Sequence, residues 1–195
     1  MIFRIYKIIG FVVILFSLSS CQQEKSSVTA DPLYFDIVTL IDRQVELLSS
    51  INPSLVKAYE VEGKVETRTL GDINWEGELS IFKEADLNSP VLRGKYLKKE
   101  EKTDQGKRVS YTPIDILQKG ISTFVVEFDE SENPTSIQTE LISDNIVFSS
   151  QRKLSLYFDQ LKGTPILKSY SILSKENLIF KKEEANRLNG TITFP

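Results

Sequence analysis

The length, composition and charge of the chain exclude several classes of function. Its 195 residues include 24 basic and 27 acidic side chains, one cysteine and no histidine. A Ser-His-Asp or Cys-His catalytic site, and a zinc site built from histidine, are therefore ruled out by residue type. The net charge of −3 argues against nucleic-acid binding, which favours a basic surface.

Residues 1–20 have the order of a secretory signal peptide. Arg4 and Lys7 come first without any acid, an apolar run over residues 8–16 follows, and small serines close the segment. The run is roughly half of the 20 or so apolar residues that a membrane-spanning helix needs. We therefore predict that residues 1–20 are removed, which leaves 22 basic and 27 acidic residues and a net charge of −5.

The single cysteine ends this segment. Leu18, Ser19, Ser20 and Cys21 resemble the lipobox of bacterial lipoproteins, in which an aliphatic residue and two small ones precede the cysteine. The resemblance implies that Cys21 carries diacylglycerol as a thioether, becomes the N-terminus and is acylated on its amine. The alternative is a signal peptide cut at small residues, with Cys21 left as an incidental thiol. Two or three acyl chains would bind a membrane far more tightly than one myristoyl chain.

Residues 22–30 are polar and lack hydrophobic periodicity, so that residues 21–30 are predicted to be a lipidated cysteine with a flexible tether. As a random coil, nine residues span on the order of 15 to 18 Å, which keeps the following domain near its membrane. Gln22 follows the cysteine where some bacteria use Asp as a signal for inner-membrane retention. By that analogy the outer membrane is favoured, with its face left open.

Residues 31–195 are predicted to be a single globular domain that begins with an amphipathic helix over residues 32–50. Asp31 is the expected cap, Pro32 suits the first helical position, and Asn52 and Pro53 end the helix. Its apolar stripe comprises Tyr34, Ile37, Val38, Ile41, Val45 and Leu48. Covering the domain's own sheet is the expected role of this stripe, with membrane or partner docking as the alternative.

Alternation with a period of two begins at Val56 and predicts a half-buried strand, in which Gly63 marks a bulge or a tight bend. The expected buried face comprises Tyr59, Val61, Gly63, Val65, Thr67 and Thr69. Trp75, Leu79 and Phe82 then have helical spacing and predict a short second helix. Trp75 is expected in the core, with a ligand site as the alternative.

The remaining sequence predicts a β-meander, because turn-forming clusters recur along it. These clusters are 103–106, 130–134, 144–145, 161–165, 174–177 and 189–190. Phe124, Val126 and Phe128 share one strand face, and Leu154, Leu156 and Phe158 share another. The predicted fold is α+β: a curled antiparallel meander of about eight strands, an open or half barrel, packed on the first helix.

This element order is similar to that of uncharacterised bacterial envelope lipoproteins and of the periplasmic lipoprotein-carrier fold. The carrier fold is an open barrel with an apolar interior for acyl chains, although the known carriers have no lipid anchor. The likeness concerns architecture alone and implies no site residue beyond residues 18–21.

Two charged segments suggest sites. Asp129, Glu130, Glu132 and Asn133 offer oxygen ligands for calcium, but their spacing does not match an EF-hand loop and Pro134 favours a hairpin turn. Residues 93–108 carry seven bases that could contact anionic lipid; a solvated hairpin with cross-strand ion pairs is the preferred interpretation. These bases are Arg93, Lys95, Lys98, Lys99, Lys102, Lys107 and Arg108. Asn189, Gly190 and Thr191 match a glycosylation sequon but are expected to form a turn.

Catalysis would have to rest on carboxylates, yet the acids fall on alternating polar positions, as Glu60, Glu62 and Glu66 do, or in the charged run 181–184. We therefore expect no enzyme, no metal and no cofactor. The sequence favours a non-catalytic envelope lipoprotein that acts through protein contact. The alternative is a binder or chaperone of an apolar or lipid ligand held between the helix and the curved sheet.

Overall fold

The predicted fold class is confirmed, with one strand more than expected. The computed structural model describes residues 31–117, 119–178 and 181–195. Residues 32–195 form one compact unit. Its helices are α1 (Ile37–Ile51), α2 (Trp75–Leu79) and a 3₁₀ helix (Ser80–Ala85). The described residues form nine strands: β1 (Ser54–Val61), β2 (Lys64–Leu70), β3 (Tyr96–Thr103), β4 (Gly106–Pro113), β5 (Lys119–Phe128), β6 (Pro134–Asp144), β7 (Phe148–Leu161), β8 (Thr164–Leu178) and β9 (Lys181–Thr193).

All nine strands belong to one antiparallel sheet in the order β2-β1-β9-β8-β7-β6-β5-β4-β3. Strands β3 to β9 are a continuous meander, and β9 pairs with β1, which places the first hairpin at the far edge. One face of the sheet packs against the helices and is concave, while the other is rich in serine, threonine and charged residues. Strands β2 and β3 are the two edges.

Helix α1 begins five residues later than predicted. Its cap is Asp36, whose Oδ1 accepts a hydrogen bond from Thr39 N at 2.9 Å. Residues 32–36 stay outside the helix because the Asn88 side chain binds the Tyr34 N–H at 2.9 Å and the carbonyl oxygens of Tyr34 and Phe35. The C-terminus is as predicted: Asn52 adopts the left-handed conformation and its N–H bonds Leu48 O.

The strand predicted from Val56 is two strands. Glu62 and Gly63 both have positive φ and form a two-residue hairpin turn between β1 and β2, so the tight bend is the correct alternative. Val61 therefore opposes Lys64. An odd-numbered residue on β1 shares its face with an even-numbered residue on β2, so two odd-numbered residues lie on opposite faces. The predicted common face of Tyr59 and Val65 is wrong for this reason, and both side chains are exposed.

The second helix and the expected role of Trp75 in the core are confirmed. Trp75 and Leu79 lie in α2 and Phe82 in the 3₁₀ helix, and all three are buried. Asn74 caps α2 by accepting a hydrogen bond from Gly77 N at 3.1 Å.

Four of the six predicted turn clusters connect strands, and two do not. Residues 174–177 continue β8, which is held on both sides by β7 and β9. Residues 189–190 lie inside β9, so the expected turn at the sequon is also wrong. Glycine is needed at position 190 because the Tyr170 ring packs directly on its backbone: a Cβ there would lie 2.1 Å from Cζ of Tyr170.

Candidate functional site

Cys21 and the tether lie outside the described residues, so the described part of the chain offers the faces, edges and ends of the sheet as candidate sites. No helix in residues 31–117, 119–178 or 181–195 is long and apolar enough to cross a membrane.

The centre of the concave face is filled by α1. Ile37, Ile41 and Leu48 have no exposed surface, and they pack in one cluster with the inner residues of β4 to β8. The apolar stripe of the helix thus covers the sheet, as the sequence predicted. Between α1 and the sheet, this position is occupied by side chains of the protein itself.

Gln44 is the polar member of the buried face of α1. Its Nε2 donates to Pro165 O at 2.9 Å, and its Oε1 accepts from Leu167 N at 2.8 Å. These bonds fall beside the irregularity in register at Tyr157 and Phe158, where the ladder between β7 and β8 shifts. Gln44 therefore binds backbone groups of β8 in the stretch before its ladder with β9 begins at Ser169. A lone glutamine in a helical stripe gives no sequence signal for this role.

A polar cluster holds α2 on the sheet at the border of the covered region. The Tyr170 hydroxyl donates to the Glu78 carboxylate, and Lys57 Nζ lies 2.8 Å from Glu78 Oε1. Burial of the Tyr170 ring, followed by its hydrogen bond to the Glu78 anion, raises the pKa of Tyr170 far above its usual value. Tyr170 therefore remains a neutral hydrogen-bond donor, which suits a structural contact between α2, β1 and β8.

Beyond this cluster the concave face is open, and we call this region the β2 corner. It is a hollow of about 400 Å³ that opens to solvent. Its lining residues are Lys57, Tyr59, Glu66, Arg68, Leu70 and Leu188. The register places Tyr59 between Leu188 on β9 and Glu66 on β2, so aromatic, aliphatic and charged groups alternate across three strands. Tyr59 is 47% exposed.

A second hollow, here called the β6 hollow, lies where β5, β6 and β7 extend past the 3₁₀ helix. Its volume is about 350 Å³ and its floor includes Ile121 and Leu141. Two bases, Lys119 and Arg152, also line it, and Arg152 Nη1 is 3.1 Å from Glu84 Oε2. The arrangement is an apolar floor with cationic groups beside it, which is suited to an anionic amphiphile.

The acidic segment considered for calcium is a hairpin turn between β5 and β6. Asp129 Oδ1 accepts hydrogen bonds from Ser131 N and Asn133 N, and Asp129 Oδ2 accepts from Gln160 Nε2. The carboxylate that would be the central ligand is thus committed to the turn and to β7. This agrees with the preferred interpretation of the sequence.

The basic segment 93–108 contains the hairpin of β3 and β4, as predicted. Its ion pairs run partly along one strand, as between Lys99 and Glu101 at 2.8 Å, and partly between strands, as between Arg108 Nε and Glu127 Oε1 at 2.6 Å. The Lys99 partner lowers the pKa of Glu101, mainly through their hydrogen bond. Charge on an edge strand also discourages pairing with another sheet.

Of the acids named for possible catalysis, those on the first hairpin do not converge. Glu60 and Glu66 lie on opposite faces of the first hairpin, Glu62 is in its turn, and the side chains of residues 181–184 fall outside the described set.

Comparison with known proteins adds little. No protein-family model matches the chain, and no curated protein matches it in sequence. Among solved structures, an S-type phycobiliprotein lyase from Guillardia theta aligns with 83% of this chain and 98% of its own, at 9% identity and a TM-score of 0.24. A likeness of that size carries no argument.

Proposed function

We propose that the protein is a lipid-anchored component of the bacterial cell envelope. The proposal is supported by the order of charged, apolar and small residues before Cys21 and by the lipobox that Leu18 to Cys21 resemble. After removal of residues 1–20, the lipids on Cys21 would hold the domain at a membrane through the tether of residues 22–30. Gln22 favours the outer membrane.

An intact mass of the protein purified from bacterial membranes tests the anchor. We expect the mass of residues 21–195 plus acyl groups, and a Cys21→Ser variant that is either released without lipid or left uncleaved. A mass without acyl groups in the wild-type protein would contradict the anchor.

We further propose that the domain acts by protein contact and without catalysis. The observation that carries this proposal is the filled interior: α1 occupies the centre of the concave face, where a cargo ligand would otherwise lie. The absence of histidine and the dispersal of the acids support the same view.

The β2 corner is the surface that fits a protein partner best. It presents Tyr59 and Arg68, which are residue types that dominate binding energy in interfaces. It also adjoins β2, an edge strand to which an extended partner segment can add as a further strand. Strand β3 at the other edge has five charged residues in eight, against three in seven on β2.

Photo-crosslinking in living cells tests the contact proposal. A photoreactive amino acid at Tyr59 should yield a discrete crosslinked product with an envelope protein. Tyr157 is the matched control because it is similarly exposed, at 41% against 47%, but its position pairs with Ser136 on the polar convex face. Equal crosslinking from both positions, or none from Tyr59, would contradict the β2 corner as the contact surface.

The β6 hollow favours a second candidate function, the binding of an apolar or lipid ligand. Its apolar floor and the neighbouring Lys119 and Arg152 would suit an anionic lipid. Native mass spectrometry of the purified protein distinguishes the two functions. Bound lipid near one per chain, in addition to that on Cys21, would favour the ligand function, whereas its absence would favour contact.

A further inference from the structure

Two loops at one end of the sheet carry exposed aliphatic side chains, although the Glu62–Gly63 turn at the same end is polar. At one end, the β4–β5 loop carries Ile114 and Ile116, and the β6–β7 loop carries Ile146 and Val147. Ile116 is 100% exposed and Ile146 is 92% exposed. We call these four residues the apolar tip. Isolated exposed aliphatic residues are ordinary, but four on two adjacent loops form a surface that needs an explanation.

The strand register places the two loops side by side. Lys119 on β5 pairs with Ser143 on β6, and neighbouring strands lie about 5 Å apart. Ile116 precedes Lys119 by three residues and Ile146 follows Ser143 by three residues. The two isoleucines therefore leave the last paired positions of adjacent strands at matching distances along the chain.

The side chain of Tyr34 also reaches this end of the sheet. The Tyr34 hydroxyl donates to Tyr96 O at 3.2 Å and accepts from Tyr96 N at 3.0 Å, at the first residue of β3. The preceding residue, Lys95, accepts a hydrogen bond from Ile114 N at 2.9 Å. The Tyr34 side chain and the apolar tip are thus linked by hydrogen bonds through Tyr96 and Lys95.

The turns at the opposite end of the sheet are polar. They are formed by Asp104 and Gln105, by residues 129–133, and by Lys162 and Gly163. These are polar or charged, and Leu161 beside the last turn is 44% exposed.

From this placement we propose that the apolar tip inserts into the surface of the lipid bilayer, so that the domain stands on the membrane with this end toward the bilayer. The proposal rests on the lipid anchor proposed above. As a random coil, the predicted tether of nine residues would span on the order of 15 to 18 Å, and this end would lie within reach of the bilayer that holds the proposed lipid on Cys21. When aliphatic side chains that are exposed in the free domain enter the bilayer surface, the apolar area that they bury there adds to the binding by an acyl anchor.

This orientation would also fix what the rest of the domain can meet. The turns at the opposite end would point away from the bilayer, and the concave and convex faces would stand roughly upright on it. The tip thus acts as a second membrane contact that restricts how the tethered domain can turn.

Depth-dependent quenching of single labels tests the proposal. An environment-sensitive fluorophore is attached to an introduced cysteine, Ile116→Cys or Ile146→Cys, in the full lipidated protein reconstituted in phosphatidylethanolamine–phosphatidylglycerol vesicles. Leu161→Cys is the matched control at the polar end. We expect severalfold stronger quenching by nitroxide lipids at positions 116 and 146 than at 161, with the reverse order for aqueous iodide. Equal quenching at both ends, or shielding of the tip from iodide without quenching by lipid, would overturn it, the latter in favour of a protein partner.

Labelling of the wild-type protein separates this inference from the anchor. Cys21 is the only native cysteine, so an acylated chain takes up no label, whereas a labelled wild-type chain shows that the anchor has failed. In that case, sedimentation with the same vesicles decides the inference. Binding that falls roughly tenfold or more in Ile116→Asp supports insertion of the tip, and absence of binding by the wild-type protein overturns it.

Discussion

Tyr111 on β4 and Tyr59 on β1 both lie inside strands of the same sheet, yet Tyr111 is buried and Tyr59 is 47% exposed. The difference lies in what covers each strand. The N-terminal segment packs on β4, where the Tyr34 and Tyr111 rings meet at 5.5 Å and Phe35 N donates to the Tyr111 hydroxyl. On β1, α2 makes its contact through the ion pair of Glu78 with Lys57, two residues before Tyr59. Alternation therefore predicts a strand, whereas burial of its side chains depends on whether another element packs on that strand.

The largest expected effect is in the covered centre. Ile41→Asp would place an unpaired charge where the side chain has no exposed surface, at an expected cost of about 4 kcal/mol or more in the free energy of unfolding. Tyr59→Asp in the β2 corner should cost less than about 1 kcal/mol. Urea unfolding followed by circular dichroism measures both. Similar losses from the two substitutions would mean that the corner is covered in solution.

Gln44 offers a smaller test of the same centre. Gln44→Leu keeps a side chain of similar size but removes both hydrogen bonds to β8. Leu167 N and Pro165 O are then left without their side-chain partner. We expect a loss of about 2 to 4 kcal/mol in the free energy of unfolding. Gln138→Leu, on the exposed convex face, should change it by no more than about 0.5 kcal/mol. A neutral Gln44→Leu substitution would show that these bonds add nothing to the packing of α1.

The elements that the sequence predicted correctly are those whose signals are local. The stripe of α1, the left-handed Asn52 and the inner face of β5 follow from spacing and from the conformational preferences of single residues. The start of α1 was wrong because Asn88, more than fifty residues away, binds the backbone of Tyr34 and Phe35.

The other errors have the same origin. The turn expected at residues 174–177 yields to pairing with two neighbouring strands, and the turn expected at Gly190 yields to the ring of Tyr170. The β2 corner could not be predicted, since it depends on where α2 ends over the sheet. The one site that the sequence favoured is the lipidation of Cys21, and that remains a prediction.

Gly190 marks the border between covered and open regions. Gly190→Ala would force the Tyr170 ring to move, because the new Cβ would lie 2.1 Å from Cζ, and we expect a loss of about 1 to 3 kcal/mol in the free energy of unfolding. Gly71→Ala is the control, since a Cβ there meets nothing within 4 Å. In a double-mutant cycle with Tyr170→Ala, the two losses should not add, because the clash disappears with the ring. Strict additivity would place the cost of Gly190→Ala elsewhere.

Alkaline pH should give the smallest effect, and it acts through the same border. Burial raises the pKa of Tyr170, Tyr96 and Tyr111 in the folded protein, whereas an unfolded tyrosine has a pKa of about 10. The folded state therefore keeps protons that the unfolded state releases above pH 10 or so. The stability that these groups contribute is complete below about pH 10 and is lost as the pH rises further.

In Tyr170→Phe, the slope of the free energy of unfolding against pH above about pH 10 should be shallower by at most about 1.4 kcal/mol per pH unit. Urea unfolding at several alkaline pH values measures the slope, and each protein is compared with its own value at pH 7, because the variant also loses the hydrogen bond to Glu78. An unchanged slope would mean that Tyr170 ionises as readily in the folded protein as in the unfolded chain, and that the border around Glu78 and Lys57 is as open to water as the β2 corner.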